Sequence, residues 1–248
     1  MRILFLLTFL ISAQIVAQDA LRIKYGKQTK WDISTELQEK NPDLAIAMKK
    51  AMQEVVDYEL IFFNNEAQYV FVEKIDNKQI EEGNRTSVSF GIPNEKIYSN
   101  YNTGQQLRAF SANGKYSVIR TELPSYKWEL TRETKNILGI KVRKAILSSE
   151  KTEEIAWYAP QIPYKAGPEN IWGLPGLILE YRKDRKTSKG IRSTYIFTQA
   201  LEHLDSSAVN IEKPDESISI SQEEFKEQQK IFMEKLNEMN SQGVDTSD

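Results

Sequence analysis

Cysteine is absent from the 248 residues, and histidine occurs once, as His203. The lack of cysteine excludes disulfides, thiolate catalysis, cysteine-ligated zinc, iron–sulfur clusters and lipid attachment through an N-terminal cysteine. A metal site built from several imidazoles is excluded as well. A serine triad would have to use His203, and no Gly-x-Ser-x-Gly turn is present. We therefore expect no catalysis, no metal and no cofactor, although a pair among the 35 acidic residues leaves a hydrolase open.

An excess of one charge is also missing, since 33 Lys and Arg residues face 35 Asp and Glu residues for a net charge of −2. This balance argues against nucleic-acid binding. The strongest basic run spans residues 182–186 and continues with Lys189 and Arg192, and we interpret it as part of a solvated hairpin loop at 183–190. Contact of that loop with acidic lipid headgroups or lipopolysaccharide is the alternative.

Long hydrophobic runs are missing except at the N-terminus. The basic start Met1-Arg2, the apolar stretch at residues 3–11 and the small residue Ala17 form the pattern of a signal peptide covering residues 1–18. The apolar stretch is too short to cross about 30 Å of hydrocarbon. The sequence therefore predicts an exported protein, periplasmic or extracellular, with no transmembrane segment in the mature chain.

Short segments with a hydrophobic period of two make up most of the chain at residues 19–205. Turns at Asn64-Asn65 and Asn113-Gly114 predict hairpins, and the polar residues 75–88 predict a loop. The predicted strands are 21–33, 59–63, 67–73, 96–101, 106–110, 116–121, 128–131, 137–147, 154–158, 177–182 and 192–198. This pattern predicts a β-rich α+β domain with an antiparallel sheet.

Two helices are predicted outside this pattern. Asn41-Pro42-Asp43, with Asp43 as N-cap, precedes apolar residues at helical spacing up to Val55. The second helix belongs to a linker and C-terminal helix at residues 206–248. It begins at a capping box formed by Ser221 and Glu224, and its apolar residues are Phe225, Ile231, Phe232, Leu236 and Met239. This helix either docks on the sheet, binds a partner or forms a flexible extension.

The segment at residues 128–180 combines an unusual turn with several aromatic residues. Leu174-Pro175-Gly176-Leu177 suits a type II turn with Pro175 second and Gly176 third. The flanking Leu174, Leu177 and Ile178 would anchor this turn in the core. The candidate ligand-binding residues are Trp128, Trp157, Tyr158 and Trp172, for each of which core packing is the alternative.

Residues Gly173, Leu174, Pro175, Gly176, Leu177 and Ile178 spell GLPGLI, and the chain resembles the GLPGLI family of secreted Bacteroidetes proteins. Further landmarks of that family lie at 126–131, 137–139, 144–145, 156–158, 162–163 and 167–168. Val142 stands where many relatives would carry cysteine, so a thiol-dependent property of relatives would not transfer. The resemblance implies a signal peptide, a β-rich domain at about 21–205 and no firmly assigned activity.

The same resemblance implies work in the cell envelope, because members are often encoded beside TonB-dependent outer-membrane receptors. Such a receptor, or another envelope protein, is therefore the expected partner. The strand order is also similar to the curved half-barrel of periplasmic lipoprotein carriers, which implies a curved sheet. We therefore expect an accessory or binding protein of the envelope, with a carrier of lipid or another small apolar ligand as the alternative.

Overall fold

The computed structural model describes residues 20–73, 95–112, 115–188 and 190–242. The predicted signal peptide, the loop at 75–88 and the turn Asn113-Gly114 lie outside the described residues. The structure is mostly β, with one large, curved and unclosed sheet and a few helices, so the predicted fold class is confirmed. Within the described part of the chain, no helix is long and apolar enough to span a membrane.

The elements follow one another along the described chain with few long connections. The strands are β1 (Ala20–Trp31), β2 (Val56–Phe63), β3 (Glu66–Val72), β4 (Lys96–Asn100), β5 (Gln105–Ala112), β6 (Lys115–Glu122), β7 (Glu129–Ile137), β8 (Ile140–Ser148), β9 (Thr152–Ala159), β10 (Leu177–Thr187), β11 (Gly190–Leu204) and β12 (Ile220–Ser221). The helices are α1 (Thr35–Lys40), α2 (Pro42–Ala51) and α3 (Gln222–Gln242).

Strand β1 lies in the interior of the sheet and joins two runs of neighbouring strands. The order is β12-β6-β5-β4-β3-β2-β1-β11-β10-β9-β8-β7. All pairs are antiparallel except β12 with β6, which pair in parallel over two residues. Most neighbours are consecutive in sequence because short hairpins suffice to join antiparallel strands.

The β2–β3 and β7–β8 hairpins turn through residues with positive φ. Asn64 and Asn65, with φ of 52° and 59°, join β2 to β3, which confirms the hairpin predicted there. Leu138 and Gly139, with φ of 49° and 79°, join β7 to β8. The single strand predicted at 137–147 is therefore wrong at its start, and the strand predicted at 128–131 continues to Ile137.

The predicted loop at 183–190 is wrong, because β10 and β11 extend almost to the tip of their hairpin. Lys183 pairs with Thr194, and Thr187 pairs with Gly190. Strand β10 also pairs with β9 along the same basic stretch. Hydrogen bonding on both sides holds this charged sequence in extended form, and its side chains alternate between the two faces of the sheet.

The cap of α2 also differs from the prediction. Asn41, not Asp43, is the N-cap, and its side-chain oxygen accepts the Leu44 N–H at 3.1 Å. Pro42 occupies the first helical position, where its missing N–H costs no hydrogen bond, so the cap must precede it.

The main core lies on the face of the sheet that carries Tyr25, Tyr58, Tyr69 and Tyr158, which we call the inner face. A covering segment, residues 160–176, lies against this face between β9 and β10. Its Ala166, Ile171 and Leu174 belong to the same buried cluster as those tyrosines. The covering segment is tied to β10 by the Leu177 N–H to Ile162 and the Ile178 N–H to Ala166, at 2.9 and 3.0 Å.

A smaller cluster lies on the opposite, outer face and consists of Tyr98, Leu107, Ala109 and Val118. A strap, residues 205–219, packs Ile211 against this cluster. Its Glu212 contacts Lys96 at 2.5 Å, and its Glu216 accepts from Gln105 at 2.5 Å. The strap leads into β12 and α3, whose Phe225 packs edge-on against Phe110 at 5.6 Å.

Candidate functional site

Two of the four predicted aromatic residues lie together. Trp128 donates its indole N–H to the Trp172 carbonyl at 3.1 Å. Trp172 in turn donates to the Pro124 carbonyl at 2.6 Å. These bonds tie the chain before β7 to the covering segment, and both rings are partly buried.

The other two leave β9 on opposite faces of the sheet because they are neighbours in one strand. Tyr158 is 1% exposed within the core of the inner face. Trp157 lies on the outer face, where the Lys135 ammonium is 4.4 Å from its ring centre. It lines a shallow pocket together with Lys144, Arg182 and Tyr195. The structure therefore does not bring the four residues into one site.

The motif at Gly173–Ile178 forms a buried turn whose geometry differs from the predicted one. The Gly176 N–H donates to the Leu174 carbonyl at 2.8 Å, whereas the Leu177 N–H donates to Ile162. A type II turn needs a φ of about +80° at Gly176. The observed φ is +153°, so that prediction is wrong. Leu174, Leu177 and Ile178 are fully buried, as predicted, and Pro175 is exposed.

Gly176 is required by a close approach of two backbones. Its φ is +153°, and a Cβ at this position would lie 2.2 Å from the Ala159 carbonyl oxygen. The motif thus seals the end of β9 against the start of β10 and is part of the core.

A polar cleft of about 490 Å³ opens on the inner face beside the covering segment. Its walls come from β1, β2, β4, β5 and β6, from the covering segment and from the start of α3. The lining residues are Lys27, Tyr58, Glu95, Ile97, Gln106, Arg108, Ile119, Thr121, Glu122, Pro124, Glu169, Asn170 and Gln222.

Strand register explains why these polar side chains meet. Tyr58 pairs with Tyr25, and Lys27 follows Tyr25 by two positions on the same face. On the other side of the cleft Arg108 pairs with Ile97. Because consecutive strands stand side by side, residues far apart in sequence face one opening.

Two ion pairs dominate the electrostatics of the polar cleft. Arg108 contacts one oxygen of Glu95 through both Nε and Nη2 at 2.7 Å, and the Glu95 side chain is only 9% exposed. Lys27 donates to Glu169 from the covering segment. Withdrawing charges from water is costly, so both carboxylates depend on these cationic partners.

Two stacked tyrosines stand beside these ion pairs. The Tyr58 and Tyr69 rings are 4.8 Å apart and nearly parallel. Burial raises the pKa of Tyr58 well above its ordinary value, and the charges of Glu95 and Glu169 raise it further. Burial likewise raises the pKa of Tyr69, whose hydroxyl has no hydrogen-bond partner among the described residues. Both hydroxyls therefore remain donors at neutral pH.

This arrangement brings cations, carboxylates and amides to one opening. In the described ranges, no group of three His, Asp or Glu residues is placed to hold a metal ion. His203, near the end of β11, pairs with Leu21 and does not line the polar cleft. The groups that line the cleft can form hydrogen bonds and bind charged groups.

The sequence does not predict the polar cleft. Gln106 and Arg108 alternate with Leu107 and Ala109, a pattern that predicts the polar pair on a solvated face. In the structure the strap packs on the outer face of β5, and Gln106 and Arg108 line the polar cleft on its inner face. No motif or spacing links Lys27 to Glu169, which lie 142 residues apart.

The fold and the cleft define an open antiparallel sheet protein with a polar site on its inner face. Residues 148–180 match a family model described as "Protein of unknown function (Porph_ging)". That family is associated with Bacteroidetes. The matched residues include Trp157, Tyr158, Trp172 and the Gly173–Ile178 motif. No curated protein matches the sequence.

Solved structures of PNGF-II share this fold. The chain superposes on PNGF-II in a C2 crystal form with a TM-score of 0.51 and 17% identity, covering 84% of this chain and 32% of that one. The P21 crystal form gives 0.52 and 16% with the same coverage. This chain therefore spans about a third of the PNGF-II chain, and at this identity the likeness concerns the fold alone.

A third structure is described as an outer membrane lipoprotein-sorting protein domain from Vibrio parahaemolyticus. It superposes with a TM-score of 0.30 and 9% identity over 77% of this chain and 87% of that one. A likeness of that size supports no statement about this chain.

Proposed function

We propose that this chain is a non-catalytic binding protein of the bacterial cell envelope that holds a small polar ligand in the polar cleft. The observation that carries the proposal is the cleft itself, with two ion pairs and a protonated tyrosine around about 490 Å³. Ligand sites commonly have volumes of roughly 300–1,000 Å³ and a few converging polar groups.

The envelope location is supported by two sequence observations. The signal-peptide pattern at residues 1–18 predicts export to the periplasm or the exterior. The match at residues 148–180 is to a family associated with Bacteroidetes, which agrees with the resemblance to secreted proteins of that group. The absence of cysteine and the position of the single histidine outside the cleft support a role without catalysis.

The polar cleft is tested by what the protein retains when it is purified from its source. Small molecules extracted from the wild type are compared with those from the double variant Glu95→Gln/Arg108→Met. The matched control is Glu133→Gln/Lys144→Met, which removes an outer-face ion pair with a distance of 3.0 Å. We expect a retained molecule in the wild type and the control, and its loss from the cleft variant.

Retention of the same molecule by the cleft variant would overturn the proposed site. Absence of any molecule from the wild type, with no binding from a concentrated cell extract, would overturn the binding function. Melting temperatures of both variants show whether a loss arises from unfolding.

Exposed apolar residues on α3 favour docking to an envelope protein as a second role. Ile231, Phe232 and Met233 are 43%, 48% and 54% exposed. A TonB-dependent receptor or another envelope protein is the proposed partner.

We expect Ile231→Ser/Phe232→Ser/Met233→Ser to abolish crosslinking to that partner in cells without lowering the melting temperature. Phe225→Ser, which removes the contact with Phe110, is expected to lower the melting temperature. An unchanged crosslink in the triple variant would refute docking through α3.

The apolar-carrier alternative has less support. The covering segment fills one half of the inner face with Ala166, Ile171 and Leu174, which are 0%, 4% and 1% exposed. In the described ranges, the opening that remains on the inner face is lined largely by polar groups. The polar ligand is therefore the better match.

A further inference from the structure

We infer that the ligand of the polar cleft is a zwitterion with a free ammonium and a free carboxylate group, namely an amino acid or a short peptide. This inference rests on the proposed binding function and adds the chemical class of the ligand. It follows from the charge balance of the cleft, the unused donors of its cations and the way its aromatic ring is covered.

The charge balance disfavours a simple anion. Lys27 and Arg108 are matched by Glu169 and Glu95, and Glu122 adds one further carboxylate at the exposed edge. Phosphate or sulfate would enter a site with more carboxylates than cations. A ligand that brings its own ammonium group gains from those carboxylates and can still present a carboxylate to the cations.

The cations keep donors for such a carboxylate. Arg108 uses Nε and Nη2 on one oxygen of Glu95, and its guanidinium carries five N–H donors in all. Its side chain is 37% exposed, so part of it faces the opening. Lys27 donates to Glu169 and has three N–H donors. A ligand carboxylate can therefore bind without breaking either ion pair.

The Tyr58 ring is not available for stacking. Tyr69 covers one face at 4.8 Å, and the Lys27 ammonium lies over the ring at 5.5 Å from its centre. Phe71 packs edge-on against the same ring at 5.8 Å. A nucleobase needs an open aromatic face, and so does a sugar that binds by stacking. The cleft instead presents charged and amide groups, which suit the charged ends and the backbone of a peptide.

The remaining polar lining suits a peptide backbone. Gln106 and Asn170 carry amides that both donate and accept, as does the Gln222 amide at the start of α3. Thr121 adds a hydroxyl from β6. These groups match the alternating N–H and C=O groups between the two charged ends of a short peptide.

Isothermal titration calorimetry of the full chain at low salt tests this inference. The probes are a set of amino acids, dipeptides and tripeptides with polar, apolar and charged side chains, the N-acetylated and C-amidated form of each, maltotriose and inorganic phosphate. We expect at least one free peptide to bind, and each blocked form to bind about tenfold or more weakly, as loss of one charged hydrogen bond implies. Glu95→Gln and Arg108→Met are expected to weaken binding similarly, and Glu133→Gln to leave it unchanged.

The outcomes separate the ligand class from the binding function. Equal binding of free and blocked peptides, or binding of maltotriose or phosphate without any peptide, would overturn the zwitterion while the proposed function stands. If no probe binds, a molecule without both charged groups can still be retained from the source and lost from the cleft variant. In that case the zwitterion is overturned and the proposed binding function stands. If no probe binds and no molecule is retained, both fail.

Discussion

The inner face of the sheet has two halves with different linings. The sealed half forms an apolar core, and the open half forms the polar cleft. Over the strands beside β9 and β10, the covering segment and the Gly173–Ile178 motif close an apolar core. Beside β4, β5 and β6, charged and amide side chains line an opening that contains two ion pairs. Alternating strand residues can therefore place either apolar or polar side chains on the inner face. The covering segment separates the sealed half from the open half.

Gly176→Ala is expected to have the largest effect, in the sealed half. The new Cβ would lie 2.2 Å from the Ala159 carbonyl oxygen, so the backbone must move. We expect a loss of about 3 kcal/mol or more in the free energy of unfolding, measured by urea denaturation. Gly173→Ala is the control, because its φ is +90° but no atom lies within 4 Å, and we expect about 1–2 kcal/mol. Equal losses would mean that the close approach does not account for the effect.

Tyr25→Phe and Tyr69→Phe compare a bonded with an unbonded buried hydroxyl. Tyr25 donates to the Ile178 carbonyl at 2.6 Å, and its loss is expected to cost about 1–2 kcal/mol. The Tyr69 hydroxyl has no partner among the described residues, so we expect a change near zero or a slight gain. Thermal melts of both variants give the comparison. A larger loss for Tyr69→Phe would reveal an interaction of its hydroxyl and contradict the contrast.

A double-mutant cycle on Glu95 and Arg108 measures the ion pair of the open half. We expect a coupling free energy of about 1 kcal/mol, because one partner is nearly buried. The same cycle on Glu133 and Lys144 is expected to give less than about 0.5 kcal/mol, because Glu133 is 59% exposed. Similar coupling free energies for the two pairs would show that the cleft does not strengthen the attraction between Glu95 and Arg108.

We expect the smallest effect from acid, which should destabilise the strap at a higher pH than the sealed half. A hydrogen bond from Lys96 lowers the pKa of Glu212 below its ordinary 4.5. Hydrogen bonds from Lys213 and Gln105 lower the pKa of Glu216 below the same value. Groups with a lowered folded-state pKa stabilise the fold above their unfolded pKa, and this contribution is lost as the pH falls through the folded value. Hydrogen exchange, corrected for the intrinsic rate, should rise in the strap between about pH 5 and pH 3 and change less in β10. An equal rise in both regions would contradict this.

Local chemistry accounts for the parts of the fold that the sequence predicts. Asn64 and Asn65 tolerate positive φ, and the hairpin forms where their pattern predicts it. Leu138 has a φ of 49°, which leucine rarely adopts, so the turn before Gly139 was missed. Asn41 was missed as a cap because Asp43 is an equally good capping residue, and only Pro42 decides between them.

Pairing between distant residues accounts for the parts that the sequence does not predict. Leu177 donates to Ile162 rather than to Leu174, so the turn is held by a distant segment. The basic stretch after Tyr181 extends because β9 and β11 pair with it on both sides. The polar cleft likewise requires the position of β1 between β2 and β11, which no local pattern encodes.

The position of β1 also determines the order in which the strands of the sheet can pair during folding. Its Ala20 pairs with Leu204, so the central strand lacks one neighbour until nearly the whole sheet has been synthesised. Strands β1 to β6 can assemble as consecutive hairpins, whereas the second edge of β1 stays unpaired until the 15 residues of β11 arrive. Such distant pairing slows folding and prolongs the exposure of apolar edges. The sheet is therefore completed late, and at its centre, when β11 pairs with β1.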